Sequence, residues 1–293
     1  MHKIIVITGP TAVGKTKLSI ELAKKYDGEI INADAVQVYK ELNIGSAKVT
    51  EEEKEGIPHH LLDFKEVTEE YTIYHYQKDC REKIKDIQSR NKTPILVGGT
   101  GLYIKAALYD YKLSEEKSTN TYDNLTNEEL YEELKKLDKD IIIDKDNRRR
   151  LIRAINYYKE NNESINKNKT NKLLYNVIFI GLTTDRQVLY DKINKRVDEM
   201  ISQGLLEEVK SFYDKGIKSK PLLNAIGYRE LYNYLDGNCT KEEAIEKIKQ
   251  NSRHYAKRQY TFFNHQLPVV WFETDYNNFN NTIEKVASYI DSN

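Results

Sequence analysis

The hydrophobic pattern opens with a short unbroken run. Residues 3–9 read KIIVITG, consecutive β-branched positions closed by glycine, as in a strand buried on both faces. The next stretch, KTKLSIELAKKYD, sets Leu18, Ile20 and Leu22 among good helix formers and predicts a helix. GEIINAD predicts a second strand, IYHYQKDCREKIKDIQSRN a helix, and TPILVGGTG a third buried strand. Alternating strands and helices make a parallel sheet with right-handed crossovers. Ligands in such sheets sit at the carboxyl ends of the strands. All three strands end there in glycine or polar residues: Gly9, Asp34, and Gly98-Gly99-Thr100.

After about Tyr111 the pattern changes. From KLSEEKSTNTYDN to NKNKTNK the chain is polar and helical, with a basic patch in its second half. NNESINKNKTNK is low in complexity and is expected to be a mobile loop. NVIFIGLTTDR restores a buried strand. Beyond it, Leu189, Ile193, Val197 and Met200 line one helical face, and Leu205, Val209 and Phe212 continue a second segment past Gly204. Helix extends to about Phe263, and LPVVWFETD is a last strand. The expected core is residues 1–112 with about 174–190 and 257–293; about 113–173 and 191–256 are expected to form mainly helical segments.

Composition narrows the picture only a little. A chain of 293 residues suffices for one large domain or two small ones. Net charge is zero, so any nucleic-acid partner has to be argued from local clusters. Cys80 and Cys239 stand far apart with no metal-ligand spacing, which predicts a reducing, cytoplasmic setting without disulfides or structural zinc. The apolar N-terminal run is too short for a signal segment or a membrane span. No exposed apolar seam stands out, so a monomer is expected.

The chemistry begins at GPTAVGKT. Gly9-x4-Gly14-Lys15-Thr16 completes the phosphate-loop pattern of nucleotide-binding and ATP-binding proteins, with a strand before it and a helix after it. Its glycines let backbone N–H groups turn inward, Lys15 neutralises phosphate oxygens, and Thr16 is placed to hold Mg2+. The pattern specifies a phosphate and leaves the compound open. A phosphate-loop NTPase carries a metal-binding Asp at the end of a second buried strand. PILV ends instead in GGTG, and the acid is Asp34, ending EIINAD. Asp34 suits a general base or a metal contact; the alternative is a turn-forming Asp bonded to its own backbone. Thr100 adds a hydroxyl at the same rim. In GIPHHLLD, His59 and His60 are adjacent, which does not make metal ligands converge; they read as a structural or substrate-lining turn.

Two basic clusters carry the partner argument. In DNRRRLIRAINYY, Arg149 and Arg153 are one helical turn apart, with Arg150 beside them. In EKIKQNSRHYAKRQYTFFNHQ, Lys249, Arg253 and Lys257 form a stripe interleaved with Tyr255, Tyr260, Phe262 and Phe263. Cations among aromatics suit a nucleic-acid surface.

With these blocks in place the chain resembles the bacterial tRNA dimethylallyltransferases, also called tRNA isopentenyltransferases. The matching stretches are GPTAVGKT, NADAVQVYKELNIGSAK, GIPHHLLD, GGTGLY, RRLIRA, INKRVDEMISQGLLEEV, NAIGYRE and SRHYAKRQYTFF, from Gly9 to Phe263. The resemblance implies a phosphate-loop-NTPase-like parallel sheet flanked by helices, with inserted helical tRNA-binding modules. It implies transfer of a dimethylallyl group from dimethylallyl diphosphate to N6 of the adenosine 3′ of the anticodon. Gly9, Thr11, Ala12, Val13, Gly14, Lys15 and Thr16 would hold the diphosphate, with Arg196 stabilising it as it leaves. Asp34 would take the N6 proton, and Ala35, Val36 and Gln37 would read the flipped base. Thr100 would contact the reacting centre. Arg149, Arg150 and Arg153, Asn224, Gly227, Tyr228 and Arg229, and Arg253, Lys257, Arg258 and Gln259 match blocks that grip tRNA.

The chain also departs from the family pattern. Ala35 stands where the family often has Ser, and Val36 where Arg or Met is usual. IDKDN replaces an IHPND-like turn, and the region from Leu113 to Asp146 looks shortened. Three other readings compete. An adenylate isopentenyltransferase acting on free AMP, ADP or ATP would need no basic helical blocks. A small-molecule phosphate-loop kinase would carry the strand-end Asp. An RNA-binding protein without catalysis would not keep Lys15, Thr16, Asp34 and Thr100.

Overall fold

A computed structural model of the protein describes residues 3–111, 113, 122–166 and 171–293. Among the described residues the elements alternate first: β1 (Ile4–Thr8), α1 (Lys15–Lys25), β2 (Gly28–Asn32), α2 (Glu51–Lys54), β3 (His59–His60), α3 (Ile73–Ser89), β4 (Thr93–Val97) and α4 (Gly101–Leu108). Two helices follow, α5 (Asn127–Leu137) and α6 (Arg148–Asn161), then β5 (Val177–Thr183), α7 (Arg186–Ser202), α8 (Leu205–Tyr213), α9 (Lys220–Asn224), α10 (Tyr228–Leu235), α11 (Lys241–Gln266), β6 (Val270–Glu273) and α12 (Phe279–Ser292).

The strands form one sheet in the order β3-β2-β4-β1-β5-β6, every neighbouring pair parallel. β1 and β2 are buried along their whole length; β1 is accordingly a near-continuous apolar run rather than an alternating one, while β2 carries buried Glu29 and Asn32 around Ile30 and Ile31. From β1 the chain steps to one side of the sheet, and only after β4 does it return to β5 on the other side. A reversal of this kind leaves a crevice at the carboxyl ends of the strands. One hydrophobic core packs β1, β4 and β5 against α1, α7, α11 and α12, through residues such as Ile7, Leu18, Ile95, Ile180, Leu189 and Ala256.

The contacts divide the chain into two units. One is Met1–Leu108 with Tyr175–Asn293; the other is Tyr109–Leu174. The second has its own small core of Leu130, Leu134, Ile141, Leu151, Ala154 and Ile155 between α5 and α6. The stretch 191–256, expected to stand with the helical segments, belongs to the sheet unit. Ile193 and Ala256 sit in the sheet's own core, so α7 and α11 are flanking helices and not an insertion.

Two elements escaped the sequence pattern. His59 and His60, expected in a turn, are a short edge strand on β2. His60 Nε2 bonds Glu29 at 2.7 Å, and Arg90 grips the same carboxylate. α12 has a polar first half, yet Val286, Ala287 and Ile290 are buried in the main core. The expected mobile loop at 161–172 lies outside the described residues at 167–170, as does most of KLSEEKSTNTYDN.

Candidate active site

Three strand ends stand level. Val97 of β4 is in register with Ile7 of β1 and with Asn32 of β2. The segments that follow therefore leave the sheet side by side and wall a cavity of about 520 Å3. Residues of α7, the turn at 224–229 and residues of α11 form its other walls. The volume is that of a small-molecule site.

Left-handed backbone shapes the Gly9–Thr16 loop, with φ +131° at Gly9, +67° at Ala12 and +93° at Gly14. A Cβ at Gly9 would lie 2.5 Å from the carbonyl oxygen of Leu182, so only glycine fits. Such a path turns backbone N–H groups toward one concavity, and the start of α1 adds its dipole. Lys15 Nζ donates to the Pro10 carbonyl at 2.6 Å. Burial, reinforced by the Arg196 guanidinium and partly offset by Asp34, lowers the Lys15 ammonium to about 7. Arg196, reaching in from α7, is itself lowered by burial. Thr11, Ala12 and Thr16 line the cavity, whereas the Val13 side chain is buried in the core and its carbonyl accepts from Thr274 Oγ1 at 3.0 Å.

The second wall is held by short-range bonds. Asp34 Oδ1 accepts the Val36 N–H at 2.8 Å and the Gln37 N–H at 3.4 Å. Asn32 grips the same turn, accepting the Asp34 N–H at 3.1 Å and donating to Leu61 O at 2.9 Å. Asp34 is thus the turn-forming residue as well as the only carboxylate among the described cavity residues. Its Oδ2 has no hydrogen-bond partner among the described residues. Thr100 Oγ1 accepts the Ala35 N–H at 3.1 Å. Gln37 Nε2 donates to Ser46 O at 3.0 Å and Ala47 O at 3.2 Å.

Four cations among the described cavity residues, Lys15, Arg196, Arg229 and Arg258, face that one carboxylate. Two of these, Lys15 and Arg196, are depressed by burial, and cations gathered at such a ratio favour a polyanionic ligand. Ile193, Val197, Met200, Ile226 and Ile248 add an apolar surface. The sequence showed Ile193, Val197 and Met200 on one helix face but not that the face opens into a site. Tyr255, read from sequence as an RNA-stacking ring, lines the cavity too. Its phenol is pushed up to about 12 by burial and by the Asp34 charge, against hydrogen bonds to Thr100 and Gln259.

The remaining expected residues are spread differently. Ala35, Val36, Asn224, Gly227 and Gln259 line the cavity, and Gln259 Nε2 donates to Gly99 O at 3.0 Å. Arg229 pairs with buried Glu230 at 2.7 Å, and Glu230 also accepts the Gly227 N–H at 2.8 Å. Tyr228 corrects the expectation of an RNA contact: its side chain is fully buried, and its hydroxyl donates to Glu208 at 2.5 Å. Arg253 is bonded to Asn194 at 2.5 Å and Lys249 to Asp198 at 2.8 Å, so two of the three stripe residues tie α11 to α7. Lys257 and Arg258 are exposed. Arg149 and Arg150 are exposed and Arg153 half-buried on α6, in the second unit.

Among the described residues no group of three or more His, Cys, Asp or Glu could hold a metal. Thr16 and Asp34 still put a hydroxyl and a carboxylate on the cavity wall. That donor set fits Mg2+, which takes one or two protein oxygens and fills its shell with water and substrate phosphate.

The strand-end loops define a phosphate-loop α/β fold with its cavity at the ends of β1, β2 and β4. The IPP transferase family model matches residues 37–266, and the chain belongs to that family of transferases. The tRNA dimethylallyltransferase of Anoxybacillus flavithermus is 50% identical over 300 residues, covering 99% of this chain and 96% of the relative. That of Geobacillus thermodenitrificans is 48% identical, with 99% and 96% covered. Among solved structures, the tRNA delta(2)-isopentenylpyrophosphate transferase of Staphylococcus epidermidis superposes with a TM-score of 0.77 at 39% identity, covering 100% of both chains. A eukaryotic dimethylallyltransferase acting on tRNA gives 0.88 at 30% identity, covering 100% of this chain and 79% of that one. Among the described residues no helix is long and apolar enough to cross a membrane.

Proposed function

We propose that the protein transfers a dimethylallyl group from dimethylallyl diphosphate to N6 of the adenosine 3′ of a tRNA anticodon. The observation that carries this reading is one cavity joining a cation-rich phosphate loop, an apolar wall and a carboxylate with a free oxygen. A kinase would need the first and a metal-binding acid after β4, where Gly98 and Gly99 stand instead.

The diphosphate lies in the Gly9–Thr16 loop, and its charge restores the Lys15 ammonium. The isoprenoid tail rests on Ile193, Val197 and Met200. N6 attacks the allylic carbon, the carbon–oxygen bond breaks, and the electron pair leaves with the diphosphate. Lys15, Arg196 and the loop amides stabilise that growing charge. Asp34 Oδ2 takes the N6 proton. Thr16 would hold Mg2+, which would supply further neutralisation of the leaving group. The adenosine reaches the site unstacked, at a cost of about a few kcal/mol. Phosphate contacts by Lys257, Arg258 and the exposed arginines of α6 offset that cost.

The test offers dimethylallyl diphosphate with either tRNA or free AMP, ADP and ATP. Prenylated tRNA is expected. Prenylation of the free nucleotides alone would replace this reading with an adenylate isopentenyltransferase.

A further inference from the structure

We propose that Glu208, outside the cavity, is a positioning residue that sets which hydrogen-bonding atom the cavity shows to a nucleobase. Its carboxylate accepts three successive backbone N–H groups: Asn43 at 3.1 Å and Ile44 at 2.8 Å on Oε2, and Gly45 at 3.1 Å on Oε1. The Tyr228 hydroxyl donates to the same Oε1 at 2.5 Å. Gly45 makes this approach possible, since a Cβ there would lie 2.5 Å from the Tyr228 ring. Glu208 sits in the first turn of α8, where the helix dipole favours its charge. Four donors on one carboxylate hold the backbone at 43–45 in a single arrangement.

That backbone runs directly into the carbonyls that hold Gln37. Ala47 N–H donates to Ile44 O at 2.9 Å, and Ser46 Oγ to Leu42 O at 2.5 Å. Ser46 O and Ala47 O then take both hydrogens of the Gln37 amide. An amide facing two fixed carbonyls has no second orientation, because its oxygen would oppose two oxygens. The atom left over is Oε1, an acceptor without a partner among the described residues, on a side chain that lines the cavity. An acceptor there pairs with an exocyclic amine and repels a carbonyl at the same place. Glu208 thereby favours adenine over hypoxanthine without touching either.

This assignment rests on the adenine transfer proposed above, and the experiment separates the two. Affinity is measured, without dimethylallyl diphosphate, for an anticodon stem-loop RNA carrying adenosine or inosine at the acceptor position. The wild-type protein prefers adenosine. Glu208→Ala loses about tenfold of that preference, the scale of a charge-assisted hydrogen bond. Glu208→Gln, which keeps size and one acceptor oxygen, falls between, and affinity for dimethylallyl diphosphate is unchanged in both. Adding Glu208→Ala to Gln37→Ala causes no further loss, because the two act as one unit. Full preference in Glu208→Gln, or additive losses in the double variant, overturns the role of Glu208 alone. A wild-type protein that binds both RNAs alike overturns the adenine reading as well.

Discussion

At the phosphate-loop wall buried charge is only partly compensated; at the Asp34–Gln37 wall hydrogen bonds are nearly all made. Lys15 and Arg196 are both depressed by burial, which Asp34 offsets only in part for Lys15, and Glu53, Asp34 and Glu199 only in part for Arg196. Asn32, Asp34, Ala35, Gln37 and Thr100 form a closed set of short bonds in which Asp34 Oδ2 and Gln37 Oε1 are the loose ends. The first wall is built to be completed by a ligand's charge. The second is built beforehand, so that two atoms are presented in fixed positions. A polyanion that brings its own neutralisation tolerates some looseness, whereas a base must be told apart from its relatives by single atoms.

The largest effect is expected from removing the loose end of the rigid wall. Asp34→Ala lowers prenyl transfer by about 100- to 10,000-fold, the usual span for a general base. Affinity for dimethylallyl diphosphate stays within a small factor, as calorimetric titration checks. An equal loss of diphosphate affinity would erase the distinction between the walls.

The next effect belongs to the charged wall and is read in pH. Lys15 has an ordinary value of 10.5 and about 7 in the folded, ligand-free protein. A bound diphosphate raises it again, so binding takes up a proton above about pH 7 and weakens as pH rises, by up to about tenfold per unit. Below about 7 the lysine is already charged and the dependence vanishes. For folding the sign is opposite: the penalty for a buried ammonium is fully present below about pH 7 and is relieved as pH rises toward 10.5. Binding measured from pH 6 to 9 on wild type and Lys15→Met checks this, with the slope absent in the variant.

The two walls were not equally readable from sequence. Gly9, Gly14, Lys15 and Thr16 lie within eight residues, and their spacing alone encodes a phosphate seat. The rigid wall is assembled from Asn32, Ala35, Ser46, Thr100 and Tyr255, which no local period connects. The sheet was legible because buried parallel strands are near-continuous apolar runs. β3 was not, since two histidines carry no strand signal, and pairing with β2 and the bond from His60 to Glu29 hold them in place. Arg253 and Lys257 look alike as a stripe on α11; Asn194 on α7 makes one of them structural.

That last difference sets a smaller prediction. Lys257→Ala flattens the log–log salt dependence of tRNA binding by about 0.7–0.9, the value of one phosphate contact. Arg253→Ala leaves the slope unchanged and lowers stability instead. Salt titrations on both variants check it; equal flattening would put Arg253 on the RNA surface after all.

The smallest effect concerns Tyr228, which belongs to neither wall but stands behind the rigid one. Tyr228→Phe removes one of four donors to Glu208 and keeps the buried ring against Gly45. Three backbone N–H groups still satisfy the carboxylate, so no charge is orphaned. The cost is about 1 kcal/mol of stability, a single hydrogen bond's worth, seen as a lower urea midpoint at constant slope. Diphosphate affinity does not move. A drop in tRNA affinity with stability intact would mean that the phenol reaches the RNA, which its burial and its bond to Glu208 argue against.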